Sequence, residues 1–407
     1  MRTCIVRAAV VLALVPAVAS AQSLSLTESE VLARLSPDSP RVRAIRAAVD
    51  VARVDVLAAG RWPNPRLTID RESVAGITEY LTMVSQPLPI TGRRDLAVQA
   101  ATASASASAS RADEDVRRLR ADARLAFATL VGAQTREREL IAIRDRLREL
   151  AQALARREAA GDAAGFDRLR AEREVLDTEA DLTIAATERA RSQAILASYM
   201  SGVEGPTQIV ATAGSPSVTA VPPLDALLTQ AESTRGELRA YRQDVEAARF
   251  ALRAAERSRV PEPEVVAGTK SSSALGGDVG SVLTVHASIP LFDRARPERA
   301  LAEARATQGE ARAASFVTVL RGEVTALRAA VIERREAAAR YRAQALESAA
   351  QIERIGQISY DAGERSILEL LDAYRLVASA RTRQAALDLA VRQAEIELGF
   401  ATGWEER

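Results

Sequence analysis

Apolar residues recur at steps of three and four over two very long stretches of the chain. They alternate one-for-one over four short ones. Leu140, Ile143, Leu147, Leu150 and Leu154 mark the first long stretch; Val317, Leu320, Val324, Leu327 and Val331 mark the second. This spacing puts one stripe on a helix face, the seam of a coiled coil. No proline interrupts residues 91–156. A helix of about 65 residues would be roughly 100 Å long, a rod rather than a globular-domain helix. Each rod pattern ends at a glycine, Gly161 and Gly363, with an acidic, leucine-bearing helix start behind it. Gly161 aligns with Gly363 and Ala171 with Ala373 at a common offset of 202. Each glycine reads as the tip of a hairpin between two antiparallel helices.

The alternating runs read as strands. Leu67, Ile69 and Arg71 oppose Thr68, Asp70 and Glu72; Tyr80, Thr82 and Val84 oppose Leu81, Met83 and Ser85. Period two predicts strands at about 65–72 and 79–87, with residues 73–77 as a loop. The second half predicts strands at about 263–270 and 281–290, with a loop at 271–277. Thr27 and Glu30 have capping-box spacing and open a first helix. Pro37 and Pro40 break it, and a second helix follows to about Ala59. Arg259-Val260-Pro261 repeats Arg61-Trp62-Pro63. The order helix, strand, strand, long helix, tip, helix therefore occurs twice. The first repeat spans 22–201, with a helical hairpin at 91–201 and its tip near 157–167. The second spans 224–407, with a hairpin at 295–402 and its tip near 357–366. Residues 202–223, rich in Pro and Gly, form a linker. Residues 100–110 are almost pure Ala and Ser. They read either as low-complexity sequence on a tolerant helix or as a close helix-to-helix approach.

Composition narrows the setting. Arg2 and Arg7, an apolar core at 8–17 and Ala19-Ser20-Ala21 read as a signal peptide over 1–21. The only cysteine, Cys4, leaves with it, so no disulfide framework is expected. Without Arg2 and Arg7 the balance is 53 basic against 54 acidic residues, which argues against a nucleic-acid partner. Aromatics are only 3%, as suits long helices rich in Ala, Leu, Glu and Arg. No later stretch is apolar enough for a membrane helix, so a membrane role requires a β-barrel or a surface helix. His286 is the lone histidine, and Met83 and Met200 are the methionines left after cleavage, so no soft metal cluster is expected. No catalytic constellation or nucleotide motif appears; Gly276-Gly277 is a loop, and no enzyme or cofactor is expected.

Two strand pairs cannot close a sheet, and exposed edges are a liability that closure removes. Strands from several chains would form one barrel, with Tyr80, Thr82, Val84 and Leu283, Val285, Ala287, Ile289 as an apolar row toward lipid. His286 would then face the lumen. The expected class is mainly α with a small β part. The long helices would extend from the barrel as a tube.

Residues 24–49, the strand-ending Ser288-Ile289-Pro290-Leu291-Phe292-Asp293 and the tip at 360–373 resemble the TolC family of outer-membrane efflux channels. Gln86-Pro87-Leu88-Pro89-Ile90-Thr91-Gly92-Arg93-Arg94 is similar to the heavy-metal, CzcC-like branch. The resemblance implies a homotrimer with a twelve-strand barrel in outer-membrane lipid and a helical barrel in the periplasm. It implies docking onto a periplasmic adaptor and an inner-membrane pump, RND-type, or a role in type I secretion. It places acidic rings at Glu369 and Asp372, three apart on one helix face. It places a tip-closing network at Asp167, Tyr360 and Arg365, and adaptor docking at the Gly161 and Gly363 tips. Against these stand plain readings: a solvated helix face for the carboxylates and a screened surface pair for Asp167 and Arg365. A periplasmic adaptor is the competing function, although one hairpin between mixed β domains would be its pattern. A structural coiled-coil protein is a third reading.

Overall fold

In the computed structural model, residues 24–161, 165–200, 209–214, 219–292 and 294–404 are described. The signal peptide, half of the linker, residues 162–164, Asp293 and the last three residues lie outside them.

The chain begins with a short strand, β1 (Leu24–Leu26), and helix α1 (Glu28–Arg34). Thr27 and Glu30 form the capping box reciprocally: the Thr27 amide donates to Glu30 Oε2 at 2.7 Å, and the Glu30 amide to Thr27 Oγ1 at 3.4 Å. Helix α2 (Pro40–Ala59) is capped by Ser39 and carries Pro40 at its first position, so this proline starts a helix rather than only ending one. β1 pairs in parallel with β4 (Ile209–Ala211), a strand inside the expected linker. The sequence offers short β-like runs in the linker but no strand at Leu24–Leu26 and no pairing between the two. Leu26 and Ile209 are buried with Val31, Leu35, Phe127, Leu130 and Leu196. Gln193 Nε2 donates to the Ile209 carbonyl at 2.7 Å, and the Ala211 amide donates to Gln134 Oε1 at 2.9 Å. Those bonds satisfy backbone groups that a two-stranded sheet leaves open.

β2 (Arg66–Val74) and β3 (Ile77–Pro87) are joined by Ala75-Gly76, both at positive φ (51° and 82°), a two-residue turn matched to the strand twist. The strands thus run into the segment expected as a loop. β5 (Pro263–Ser272) and β6 (Asp278–Ala287) make the second pair. β6 begins and ends about three residues earlier than alternation predicts, because the glycines at 276 and 277 already complete the reversal. The two pairs join through β3 and β5 into one antiparallel sheet, ordered β2-β3-β5-β6. Its central pairing therefore links the two halves of the chain.

Gly268 lies in the middle of this sheet. A methyl group there would collide with the Thr82 carbonyl oxygen and sit 2.8 Å from Met83 Cα. Both are backbone atoms of the paired strand and cannot rotate away. Gly268→Ala is expected to cost about 1–3 kcal/mol per chain and to lower the yield of folded protein, read by resistance to limited proteolysis.

Helix α3 (Arg93–Ala159) has 67 residues and spans roughly 100 Å. Helix α4 (Gly165–Ala197) returns beside it. Helices α5 (Leu224–Thr234) and α6 (Gly236–Arg257) precede β5. The second rod runs as α7 (Arg296–Arg340), a six-residue π-helical turn (Tyr341–Leu346) and α8 (Glu347–Asp361). Helix α9 (Ile367–Thr402) returns. The sequence alone predicts one unbroken helix where the π turn lies. Near the tips, Ile143, Leu147, Leu150 and Leu154 of α3 bury against Ile367, Leu370, Tyr374 and Val377 of α9. The first rod thus packs directly on the second hairpin. Leu320, Val324 and Val331 of α7 bury with Leu227 of α5 and Leu398 of α9.

The Ala/Ser stretch is a close approach. Ala103 and Ala107 are buried, Ser108 Oγ donates to the Ala48 carbonyl of α2 at 3.4 Å, and Ser110 Oγ meets Gln243 of α6 at 2.8 Å. A methyl at Gly236 would stand 2.5 Å from the Ser110 carbonyl oxygen. No described helix is long and apolar enough to cross a membrane.

Candidate functional site

The register divides the sheet into two faces of opposite character. One face carries the rows Leu67, Val84, Ala267 and Leu283, then Ile69, Thr82, Thr269 and Ser281, then Arg71, Tyr80, Ser271 and Val279. Leu67, Ile69, Tyr80, Val84, Leu283 and Val285 on this face are all exposed. The other face carries Arg66, Ser85, Val266 and Thr284, then Thr68, Met83, Gly268 and Val282, then Asp70, Leu81, Lys270 and Gly280, then Glu72, Glu79, Ser272 and Asp278. Ser85 and Val266 on it are buried. An apolar, exposed face opposite a charged, more shielded one is the signature of a barrel wall between lipid and a polar lumen. His286 pairs with Glu264 across the strands and lies on the charged face, the one expected to meet the lumen.

The far end of the molecule is formed by the two hairpin tips. Gly363 has φ 75°; its amide donates to the Tyr360 carbonyl at 2.9 Å and the Glu364 amide to the Ser359 carbonyl at 2.9 Å. These are the two bonds of a Schellman motif, and glycine carries its left-handed residue at no steric cost. Gly161 has φ 82° and its amide donates to the Glu158 carbonyl at 3.0 Å. The turn that follows it, residues 162–164, is outside the described residues.

Glu369 caps α9: its Oε2 accepts the Ser366 amide at 3.2 Å in a capping box. Asp372 is exposed and pairs with Arg375 at 3.1 Å. Arg365 pairs with Glu369 at 3.5 Å, both half exposed. Asp167 forms no hydrogen bond or ion pair with any described residue, so a single chain does not contain the Asp167–Arg365 bridge. Tyr360 does link the two hairpins: Arg157 of α3 lies over its ring at 5.7 Å and reaches its hydroxyl at 3.5 Å.

A stronger link between the hairpins is hidden from sequence reasoning. Arg375 of α9 grips Glu174 of α4 with two nitrogens, Nε at 2.8 Å and Nη2 closer still. Glu174 is largely shielded. Arg146 of α3 also pairs with Glu353 of α8. Tyr374, whose hydroxyl donates to Gln357 Oε1 at 2.5 Å, has its pKa raised by burial. Only the i,i+3 spacing of Asp372 and Arg375 could have drawn attention to this arginine; its main partner is distant in sequence.

Charged groups also fix the middle of the body. Burial works against the Glu28 carboxylate, but Arg392 and Arg124, at 2.8 and 2.6 Å, outweigh it and hold its pKa below the usual range. Glu28 thereby ties α1 to both α3 and α9. Among the described residues no cluster of His, Cys, Asp and Glu could hold a metal ion.

No curated protein matches the chain in sequence. Residues 227–404 match the family model described as outer membrane efflux protein. Solved structures match over nearly the whole chain. A membrane protein from Pseudomonas aeruginosa is 19% identical with a TM-score of 0.79, covering 92% of this chain and 93% of its own. CusC is 16% identical with a TM-score of 0.76, covering 93% and 92%. The outer membrane protein VceC from Vibrio cholerae is 17% identical with a TM-score of 0.75, covering 93% and 97%. At these identities the structures establish the fold, and the family match covers the second half of the chain. With a two-faced sheet at one end, paired helical hairpins at the other and this profile over its second half, the chain has the fold of these outer-membrane channels, and its residues 227–404 are similar to the outer membrane efflux proteins.

Proposed function

We propose that three copies of the chain close into one barrel and one helical tunnel, the outer-membrane conduit of a tripartite efflux system. The observation that carries this reading is the sheet: one apolar and one polar face, and two edge strands, β2 and β6, each with a single neighbour among the described strands. Long unpaired edges are avoided by soluble proteins, and a hydrocarbon layer tolerates them only when the sheet closes. Closure of β6 onto β2 of the next copy, three times round, satisfies every edge. The helices then continue the wall into the periplasm.

At the tips, the Gly161 and Gly363 hairpins receive a periplasmic adaptor, which couples the channel to an inner-membrane pump of the RND type. Between copies, Asp167, Tyr360 and Arg365 form the closing contacts that a single chain lacks, and Glu369 and Asp372 ring the narrowed end. The cargo is selected by the pump. Export of metal ions is favoured by the likeness of residues 86–94 to the CzcC-like branch. The adaptor reading is disfavoured by the second full-length hairpin and by the sheet.

Two measurements test the proposal. Native mass spectrometry of protein extracted from outer membranes in detergent should give a trimer, and planar bilayers should show stepwise conductance. Alanine at both Glu369 and Asp372 should raise that conductance. A monomer recovered without detergent would sink the proposal, and an unchanged conductance would remove the acidic rings from it.

A further inference from the structure

The charged face of the sheet is unevenly charged along its height. Its two rows nearest the β2–β3 and β5–β6 turns hold Asp70, Glu72, Glu79 and Asp278 against a single cation, Lys270. Lys270 is the only lysine of the chain, and it is taken up by Glu79 at 2.7 Å. Asp70, Glu72 and Asp278 form no direct ion pair among the described residues. Lower on the same face the charges cancel: Arg66 lies 4.0 Å from Glu264. On the opposite face the same two levels carry no carboxylate at all: Ile69, Thr82, Thr269 and Ser281, then Arg71, Tyr80, Ser271 and Val279. The sign of the excess is therefore specific to the wall and the level.

We infer that the turn-proximal mouth of the barrel is a cation-preferring filter, with Glu72 and Asp278 as specificity-determining residues, independent of any carboxylates at the hairpin tips. This rests on the trimeric barrel proposed above, in which the turns face outward and β6 of one copy meets β2 of the next. Glu72 and Asp278 share one level, joined through Glu79 and Ser272. Closure repeats these carboxylates at the turn-proximal end of each copy and so lines the mouth with them three times over. No ion needs to be coordinated. A charged ring in a narrow aqueous passage with low-dielectric walls focuses the field, raising the local concentration of cations and lowering that of anions. Cationic cargo leaving the tunnel would meet an attractive exit, and anions outside would meet a barrier.

The full-length trimer in a planar bilayer under a potassium chloride gradient gives the test. The double variant Glu72→Gln, Asp278→Asn removes two exposed charges and leaves the Lys270–Glu79 pair in place. Its potassium-to-chloride permeability ratio should fall roughly threefold, a change of about half a kT per unit charge in lumen potential, since the potential acts on the two ions with opposite sign. The same fall should appear when Glu369 and Asp372 are both alanine, which separates the mouth from the tips. The difference should shrink at about 1 M salt, where the screening length is only about 3 Å. An unchanged ratio in conducting channels, or a fall seen only when the tip carboxylates are present, overturns the inference. Absence of conductance from the wild type as well would instead count against the barrel itself.

Discussion

Arg235→Ala should lower the thermal stability of the helical body more than any substitution on its surface. Arg235 links α5 to α6, and its side chain is 6% exposed. Its Nε faces Glu114 Oε1 of α3 at 3.0 Å, off the N–H axis, as an ion contact rather than an aligned hydrogen bond. Its Nη2 reaches Glu237 at 2.6 Å. The guanidinium lies 4.8 Å from the Phe400 ring of α9 and 5.3 Å from the Phe316 ring of α7. One side chain thus touches four helices of the bundle. Glu114, 5% exposed, also accepts the Gly236 amide at 2.9 Å and pairs with Arg117 at 2.9 Å. Alanine at 235 leaves that carboxylate buried with one partner fewer and opens a void between two aromatic rings. Breaking one side of a buried ion pair costs about 3–5 kcal/mol. Circular-dichroism melting of the purified protein in detergent measures the loss. Replacing both members, Arg235→Met with Glu114→Leu, should recover much of it, because removing a buried pair together avoids the orphaned charge. If the double variant is as unstable as the single one, packing and not charge governs the site.

Arg375→Ala has the other large effect, on permeability rather than stability. Its two-nitrogen grip on Glu174 joins the first hairpin to the second near the tips. The contact is charge-assisted and bidentate, the strong form of such a bond. Arg375 is 59% exposed, so its loss should cost the fold little. The relevant comparison is between tips held together and tips apart. A loss of about 1–2 kcal/mol there would change that ratio by about 5–30-fold. Cells carrying the variant should become sensitive to antibiotics too large for ordinary porins, and bilayer recordings should show more time open. Arg375→Lys should rescue only partly, since an ammonium cannot make the planar double contact. Wild-type sensitivity and open time in the alanine variant would show that the link does not restrain the tips.

Much of the architecture is legible in the sequence because it is periodic. Leu140, Ile143, Leu147, Leu150 and Leu154 of the α3 seam are all buried, since steps of three and four leave one solution for a long helix. The Thr27–Glu30 cap and the glycine at each tip are local chemistry and are readable for that reason. The strands β1 and β4 are not readable. Three residues hold too little pattern, and their pairing is decided by Gln134 and Gln193 on distant helices. The π turn at Tyr341–Leu346 leaves no mark in a run of helix formers. At the tips, types of residue can be read but partners cannot. Arg365 turns to Glu369 on the adjoining helix, where the contact is local, while Arg375 spans the hairpins. The barrel wall needs the register: alternation gives two faces, but only the cross-strand pairing shows which carboxylates share a level.

The pairing of β3 with β5 also dictates an order of events during export of the chain. Thr78 and Ser273, bonded across that seam, are 195 positions apart. The first hairpin of strands must therefore wait, fatty side uppermost and unmated, until most of the remaining polypeptide has been translocated. Such distant partnerships form slowly, and the waiting strands are prone to clumping. Escort by a holding factor during that interval, more than the final stability of the pipe, is what should limit how much of it a cell can make.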